Sequence, residues 1–185
     1  DLPYGTMSDD EVCKLNFPKL QETEGGLLFL WVTGRAMERA REIFEYWGYR
    51  QLEEIIWIKT NQLQKVIRTG RTGHWLNHSK EHCLVGVKGD FITTGLQGSA
   101  GPTRLNRYVD CDVIVAEARE TSRKPDEIYD TIERLCPGAR KIEIFGRKHN
   151  IREGWVTVGI QLPPTQLCGE TLTRFREWEA AKRAK

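Results

Sequence analysis

The stretch GGLLFLWVTGRAMERAREIFEYWGYRQLEEIIWIKT, from Gly25 to Thr60, carries the pattern from which the architecture is read. Leu27 to Thr33 is a short uncharged run of Leu, Phe, Trp and Val, the composition of a buried strand. Arg35 to Trp47 then places Ala36, Ala40, Ile43, Phe44 and Trp47 at helical spacing, and Gly48 supplies a C-terminal stop. A second apolar run, Glu54 to Lys59, follows. Strand, helix and strand in this order predict a right-handed crossover onto a sheet.

The same alternation continues outward. Further strand-like runs are Cys83 to Val87, Val113 to Ala116 and Lys141 to Phe145, with Trp155 to Val158 as a further strand able to pair at an edge. A second helix is expected from Pro125 to Leu135, with Ile128, Ile132 and Leu135 inward and Pro137 and Gly138 ending it. A third, amphipathic helix is expected from Glu170 to Lys185, with Leu172, Phe175 and Trp178 on one side. Together these predict an α/β fold, a mostly parallel sheet covered by helices on both faces. Asn61 to Lys80 and Asp90 to Tyr108 are too irregular for either element, and loops of that length in a compact domain are usually functional.

At 185 residues, 39% apolar and 29% charged, the chain fits one globular domain over 1–185 and excludes disordered and collagen-like classes. Its longest uncharged apolar run, Gly25 to Gly34, is about half of the roughly 20 residues that span a bilayer, so no membrane association is expected. The first residues have neither the basic start nor the apolar core of a signal peptide. Five cysteines without a Cys-x-x-Cys pair suit a reduced compartment, so Cys13, Cys83, Cys111, Cys136 and Cys168 are expected to be free thiols.

The net charge of +2 conceals a local pattern. Ile55 to Lys80 contains no acidic residue but carries Lys59, Lys65, Arg68, Arg71 and Lys80, +5 in all, leaving −3 to the rest. Interleaved with Trp57, Trp75, His74 and His78, this stretch suits a polyanion with bases to stack; a solvated loop, or one docked on an acidic protein, is the alternative. His74, His78 and His82 fall four apart, with Cys83 next, which would line one face of a helix as zinc ligands sometimes do. The apolar strand from Cys83 ends any such helix before His82, so no metal is expected. Glu81 enters a central strand from a polar loop, where it can accept hydrogen bonds from a substrate, or else pair with Lys80 or Arg71. Arg123 and Lys124 stand at the positive end of the second helix, where cations are disfavoured unless an anion joins them; two side chains pointing into water are the alternative. Lys141 to Arg147 reads as a strand ending in a Gly turn, followed by Lys148, His149 and Asn150; the carboxyl end of such a strand is where open α/β sheets bind ligands.

Several long motifs bear a resemblance. LPYGTM (Leu2 to Met7), FLWVTGR (Phe29 to Arg35), IKTNQL (Ile58 to Leu63), TGRTGHWLNHSKEHC (Thr69 to Cys83), KPDEIY (Lys124 to Tyr129) and Lys141 to Asn150 closely resemble the catalytic subunits of the eukaryotic mRNA N6-adenosine methyltransferases. The likeness covers residues 1 to about 162. The string Thr-Gly-Arg-Thr-Gly-His-Trp is lacking in the degenerate partner subunits of that family.

This resemblance implies a Rossmann-like S-adenosylmethionine-dependent methyltransferase fold. It further implies methyl transfer to the exocyclic amine of adenine in RNA, a heterodimer with a related non-catalytic subunit, and a nuclear location; a sister enzyme acting on DNA adenine, or a non-catalytic RNA-binding scaffold, are the alternatives. Carried over position by position, Tyr4, Glu81 and Lys124 take catalytic roles. Lys124, Glu143, Phe145, Arg147, His149, Asn150 and Gln161 contact the cofactor, with Lys124 on the methionine carboxylate. Asn77, His78 and Ser122 join the adenine pocket, and Lys65, Arg68, Arg71 and His74 border the partner and the nucleic-acid groove. No metal is required, because the amine proton becomes acidic only as the new bond forms. Three departures from the family pattern stand out. Its Asp-Pro-Pro-Trp motif, whose carboxylate and proline carbonyl bind the amine, belongs a few residues before Leu2, so the sequence is expected to be a truncated segment rather than an inactive protein. Ile160 stands where the family usually has Asn beside Gln161, and the Asp90 to Tyr108 loop is longer than in the mRNA enzymes.

Overall fold

The computed structural model describes residues 5–21, 24–68, 75–90, 96–98, 101–103 and 105–162. The chain divides into two compact units, Asp1–Gly138 and Ala139–Lys185, and each is described by itself.

The first unit begins with a helix too short to show in the sequence periodicity, α1 (Asp9–Lys14), which exists because Ser8 and Glu11 form a reciprocal capping box. Strand β1 (Gly25–Val32) leads into α2 (Met37–Tyr46), and Gly48, at φ +78°, reverses the chain into β2 (Arg50–Thr60). Then come β3 (Lys80–Gly89), a small hairpin of β4 (Leu96–Gly98) and β5 (Gly101–Thr103), β6 (Val113–Glu117) and α3 (Glu127–Leu135). The strands and helices expected over Leu27–Thr33, Arg35–Trp47, Glu54–Lys59, Cys83–Val87, Val113–Ala116 and Pro125–Leu135 are all present, within a few residues at their ends. The hairpin corrects the reading of Asp90 to Tyr108 as wholly irregular.

The sheet order is β1-β3-β2-β6. β3 runs antiparallel to both β1 and β2, and β2 runs parallel to β6. The sheet is therefore mixed, which corrects the expectation of a mostly parallel one. β1 and β2 do run in the same direction on either side of α2, but β3 is inserted between them. The expectation failed because a strand buried on both faces reads as one apolar run whichever way its neighbours point.

Side-chain alternation assigns the two faces. On one, Val32 and Leu84 pack with Ala40, Ile43 and Phe44 of α2 and with Trp47 and Tyr49, flanked by Val12, Cys13, Phe17, Leu28 and Leu30. Burying each large side chain of this set stabilises the fold by about 1.5–3 kcal/mol. The Trp47 indole donates to the Cys13 carbonyl at 3.0 Å and meets Phe17 edge-on, which ties α1 to α2. The register aligns Trp31 with Cys83 and Trp57 with Glu81, which places these four on the opposite face. α3 packs on β6 through buried Ile128, Tyr129 and Ile132. Its C-terminal carbonyls are capped by Asn106, and Arg134 forms a forked pair with Asp110.

In the second unit, β7 (Lys141–Ile144) and β8 (Trp155–Val158) pair in parallel as a sheet of their own, joined through a 3-10 turn at Lys148–Asn150. The helix expected over Glu170–Lys185 lies outside the described residues. Among the described residues no helix is long and apolar enough to cross a membrane. Cys13, Cys83, Cys111 and Cys136 are free thiols, as expected; Cys168 is not among the described residues.

Candidate active site

Glu81 lies near the start of β3, on the sheet face away from α2. Its Oε1 is 2.7 Å from Lys59 Nζ and its Oε2 is 2.9 Å from Lys124 Nζ. The carboxylate is 14% exposed. Pairing with Lys80, the bland alternative, does not occur because the alternation of β3 turns that neighbour to the other face; Arg71 lies outside the described residues. Lys59 projects from β2 two residues after Trp57, on the same face. Its ammonium lies 5.1 Å from the centre of the Trp57 ring, and that of Lys124 lies 5.9 Å from the Trp31 ring. The two indoles meet edge-on at 6.2 Å. A carboxylate between two cations, above a floor of two aromatic rings, is the result.

Burial pushes the Glu81 carboxyl up, but the charges and hydrogen bonds of Lys124 and Lys59 outweigh it and hold the group below the usual carboxylate range. Cys83, next on this face, is fully buried, and burial pushes its thiol up to about 12, so it stays protonated and inert.

The loop that carries Lys124 is short and strained. Thr121 and Ser122 both take left-handed backbone angles, at φ 51° and 57°, a conformation found preferentially at functional sites. Lys124 also donates to the Ser122 carbonyl at 3.0 Å. The puzzle of cations at the start of a helix is resolved by the protein's own carboxylates. Lys124 pairs with Glu81, and Arg123 pairs with Asp126 and Glu120. Arg119 reaches the same Asp126 at 2.5 Å.

The basic stretch divides in two. Trp57, 1% exposed, is a core residue, which corrects its reading as a base-stacking ring. Beyond β2 the chain turns on Asn61, whose side-chain oxygen accepts from the Leu63 and Lys65 amides. Lys65 and Arg68 are exposed there, and so are Leu63, Trp75 and Leu76. Asn77 donates to the Arg68 carbonyl at 2.5 Å and Ser79 donates to the Ile67 carbonyl, so the base of the loop is closed. His78 is exposed. Tyr4, Arg71 and His74 lie outside the described residues. His82 pairs with Glu54 through Nδ1 on the α2 side of the sheet. Among the described residues no three His, Cys, Asp or Glu side chains gather as a metal site.

In the second unit, parallel pairing brings the carboxyl ends of β7 and β8 to the same side. Phe145, at φ 63°, leaves its ring 56% exposed there, next to Gly146 and Arg147. Asn150 is buried, and its side-chain oxygen accepts from the Arg147 amide at 2.8 Å. Glu143 is half-buried within β7, His149 is half-buried in the turn, and Gln161 is exposed after β8 beside the 83%-exposed Ile160. An exposed ring and a half-buried guanidinium thus follow the carboxyl end of a parallel strand, the end at which open α/β sheets bind ligands.

Of the residues singled out in the sequence, the first unit thus brings together Glu81, Lys124 and Ser122, while the second holds Glu143, Phe145, Arg147, His149, Asn150 and Gln161. The residue missed was Lys59, which had been assigned to the basic loop. Its spacing of two from Trp57 at the end of a strand was the available signal.

The first, mixed α/β unit holds a carboxylate between two lysines, and the second presents Phe145 and Arg147 after the carboxyl end of a parallel strand. The chain belongs to the MT-A70 family, whose model matches residues 1–161. It is 60% identical over 178 residues to the N(6)-adenosine-methyltransferase MT-A70-like protein of Drosophila melanogaster, covering 96% of this chain and 27% of that protein. It is 58% identical, with 96% and 28% covered, to the N(6)-adenosine-methyltransferase catalytic subunit METTL3 of Homo sapiens. The non-catalytic subunit METTL14 of Danio rerio is more distant, at 35% identity over 81% of this chain and 32% of that protein. The chain therefore spans about a quarter of the length of the catalytic relatives it matches.

Proposed function

We propose that this chain is the methyltransferase segment of an enzyme that transfers a methyl group from S-adenosylmethionine to the N6 amine of adenosine in single-stranded RNA. It works beside a related non-catalytic subunit, in the nucleus. The observation that carries the reading is the state of Glu81: ionised, nearly enclosed, and with capacity to spare. A carboxylate offers about four lone-pair sites. Among the described residues Lys59 and Lys124 occupy one on each oxygen, which leaves acceptor capacity for a hydrogen bond from the substrate amine.

The chemistry asks for such a group. The adenine amine is a poor nucleophile because its lone pair is drawn into the ring. A fixed acceptor orients it, and stabilises the positive charge that grows on nitrogen as the bond forms. The proton then leaves to solvent without a strong base. Tyr4, Asn77, His78 and Ser122 are assigned to the adenine pocket, and Lys65, Arg68, Arg71 and His74 to the nucleic acid or the partner. The exposure of Lys65, Arg68 and Trp75 supports that assignment, since cations can meet phosphates and the ring can stack on a base.

S-adenosylmethionine supplies the reactive methyl group when bound. The residues that the family resemblance assigns to it are Lys124, as an anion-binding cation, and Glu143, Phe145, Arg147, His149, Asn150 and Gln161. The exposed side chain of Ile160 provides no polar group where relatives of this kind usually have Asn, so the sugar hydroxyls fall to Gln161 and Asn150.

The deciding measurement uses the full-length protein, alone and with its co-purified partner subunit, with labelled S-adenosylmethionine and matched RNA and DNA oligonucleotides. Label is expected in the RNA, at N6 of adenosine. Transfer to DNA in preference to RNA would change the substrate assignment. Transfer to neither would remove the enzyme reading and leave a scaffold.

A further inference from the structure

Resting on that reading, we propose that Lys59 is a positioning residue for the methylation reaction: from the rigid end of β2 it holds Glu81 Oε1 in place, so that the carboxylate stays aimed at the substrate amine when Lys124 leaves Oε2 for an incoming anion.

The two lysines that share Glu81 are not equivalent. Lys59 belongs to the sheet. Its amide donates to the Ser79 carbonyl at 2.8 Å, and its carbonyl accepts from the Ile67 amide at 3.0 Å. Its side chain runs along the buried Trp57 ring. A lysine held at the backbone on both sides and along its stem has little freedom left to lose, so the 2.7 Å contact to Glu81 is preorganised. Lys124 instead follows a 3-10 turn with two left-handed residues, and its ammonium is divided between Glu81 and the Ser122 carbonyl. Lys124, which already has a second acceptor, is the partner that can be given up.

Charge requires the second lysine. Two cations against one carboxylate leave the cluster at +1, so an arriving anion can take Lys124 without stripping Glu81 of its counterion. Without Lys59, departure of Lys124 would leave a carboxylate 14% exposed with nothing to offset its burial. The groups that face Glu81 are Lys59 from β2, Lys124 from the segment before α3, and the protonated Cys83 on its own strand; β1 contributes only the Trp31 ring. Among the described residues no other cation is placed to take over.

The test compares Lys59→Met, which keeps the stem over Trp57 and removes the charge, with Lys59→Arg. Both are made in the full-length protein with its partner subunit. With saturating S-adenosylmethionine, kcat/KM for single-stranded RNA is expected to fall about tenfold to a hundredfold in Lys59→Met. The acidic limb of its pH profile moves to higher pH, because removing a cation makes ionised Glu81 harder to maintain. Lys59→Arg restores most of the rate and the original limb. A Lys59→Met enzyme within twofold of wild type, or one whose acidic limb does not move, overturns the proposal; so does an arginine variant as impaired as the methionine one. A thermal double-mutant cycle between Lys59→Met and Glu81→Gln at pH 8 keeps the two readings separate. Absence of coupling defeats the proposal whatever the activity. Coupling in a wild-type protein that methylates nothing defeats the methyltransferase reading instead.

Discussion

Glu81→Gln is expected to reduce methyl transfer to RNA by about a hundredfold or more, while the protein stays folded. The substitution preserves volume and shape, so the Trp31 and Trp57 floor remains packed. It removes the negative charge, and it replaces one acceptor oxygen with an amide that can only donate. Two lysine ammonium groups are then left in a half-buried site without a carboxylate. The loss should appear equally in kcat and in kcat/KM for RNA, because the interaction strengthens only as charge develops on the amine. Initial rates with labelled S-adenosylmethionine measure it, and a variant within about threefold of wild type would sink the role given to Glu81.

The same substitution makes a pH prediction of defined sign. The folded-state carboxyl of Glu81 is held below its ordinary value of 4.5, so its pairing stabilises the fold above that value and is lost as pH falls through the lowered one. The thermal midpoints of wild type and Glu81→Gln should therefore differ at pH 7 to 8 and approach each other below about pH 4. A constant difference across that range would show that the charge of Glu81 contributes nothing.

The sequence made the elements legible but not their pairing. Helix α2 and strands β1 to β3 were readable because long apolar periods survive in one dimension, and Ala40, Ile43 and Phe44 fell inward as their spacing predicts. The antiparallel insertion of β3 was not readable, since LVGV at Leu84 to Val87 has the same composition beside either kind of neighbour. The hairpin at Leu96–Gly98 and Gly101–Thr103 was missed because three-residue strands have no period to detect. At the site, Glu81 and Lys124 were singled out separately, one from its place at a strand entry and one from its conflict with a helix dipole. Their meeting depends on β3 lying between β1 and β2, which no local pattern encodes. Lys59 was lost among the basic residues for the same reason: membership of a charged stretch says nothing about which side of a strand a residue takes.

Gly159→Ala should weaken S-adenosylmethionine binding about tenfold or more and lower the thermal midpoint. A Cβ at residue 159 would lie 1.9 Å from the Gly146 carbonyl oxygen and 3.0 Å from its carbonyl carbon. Both are main-chain atoms, so no rotamer relieves the contact. The chain beyond β8 has to move away from the chain beyond β7, at a cost of about 1–3 kcal/mol for overpacking of this kind. That movement strains the 2.8 Å hydrogen bond from the Gly146 amide to the Val158 carbonyl, and it shifts the turn that presents Phe145, Arg147 and Asn150. Gly146→Ala provides an internal control of a different kind. Its Cβ would lie 2.3 Å from the Thr157 Cγ2 methyl, and the other nearby atoms are at an ordinary 3.7 Å. Pairing Gly146→Ala with Thr157→Ser deletes that methyl and should recover most of the lost affinity, whereas Thr157→Ser should not rescue Gly159→Ala. Calorimetric titration of the full-length protein with S-adenosylmethionine distinguishes these results. If both glycine variants bind the cofactor as tightly as wild type, the turn between β7 and β8 does not hold it, and the assignment of Phe145, Arg147 and Asn150 fails.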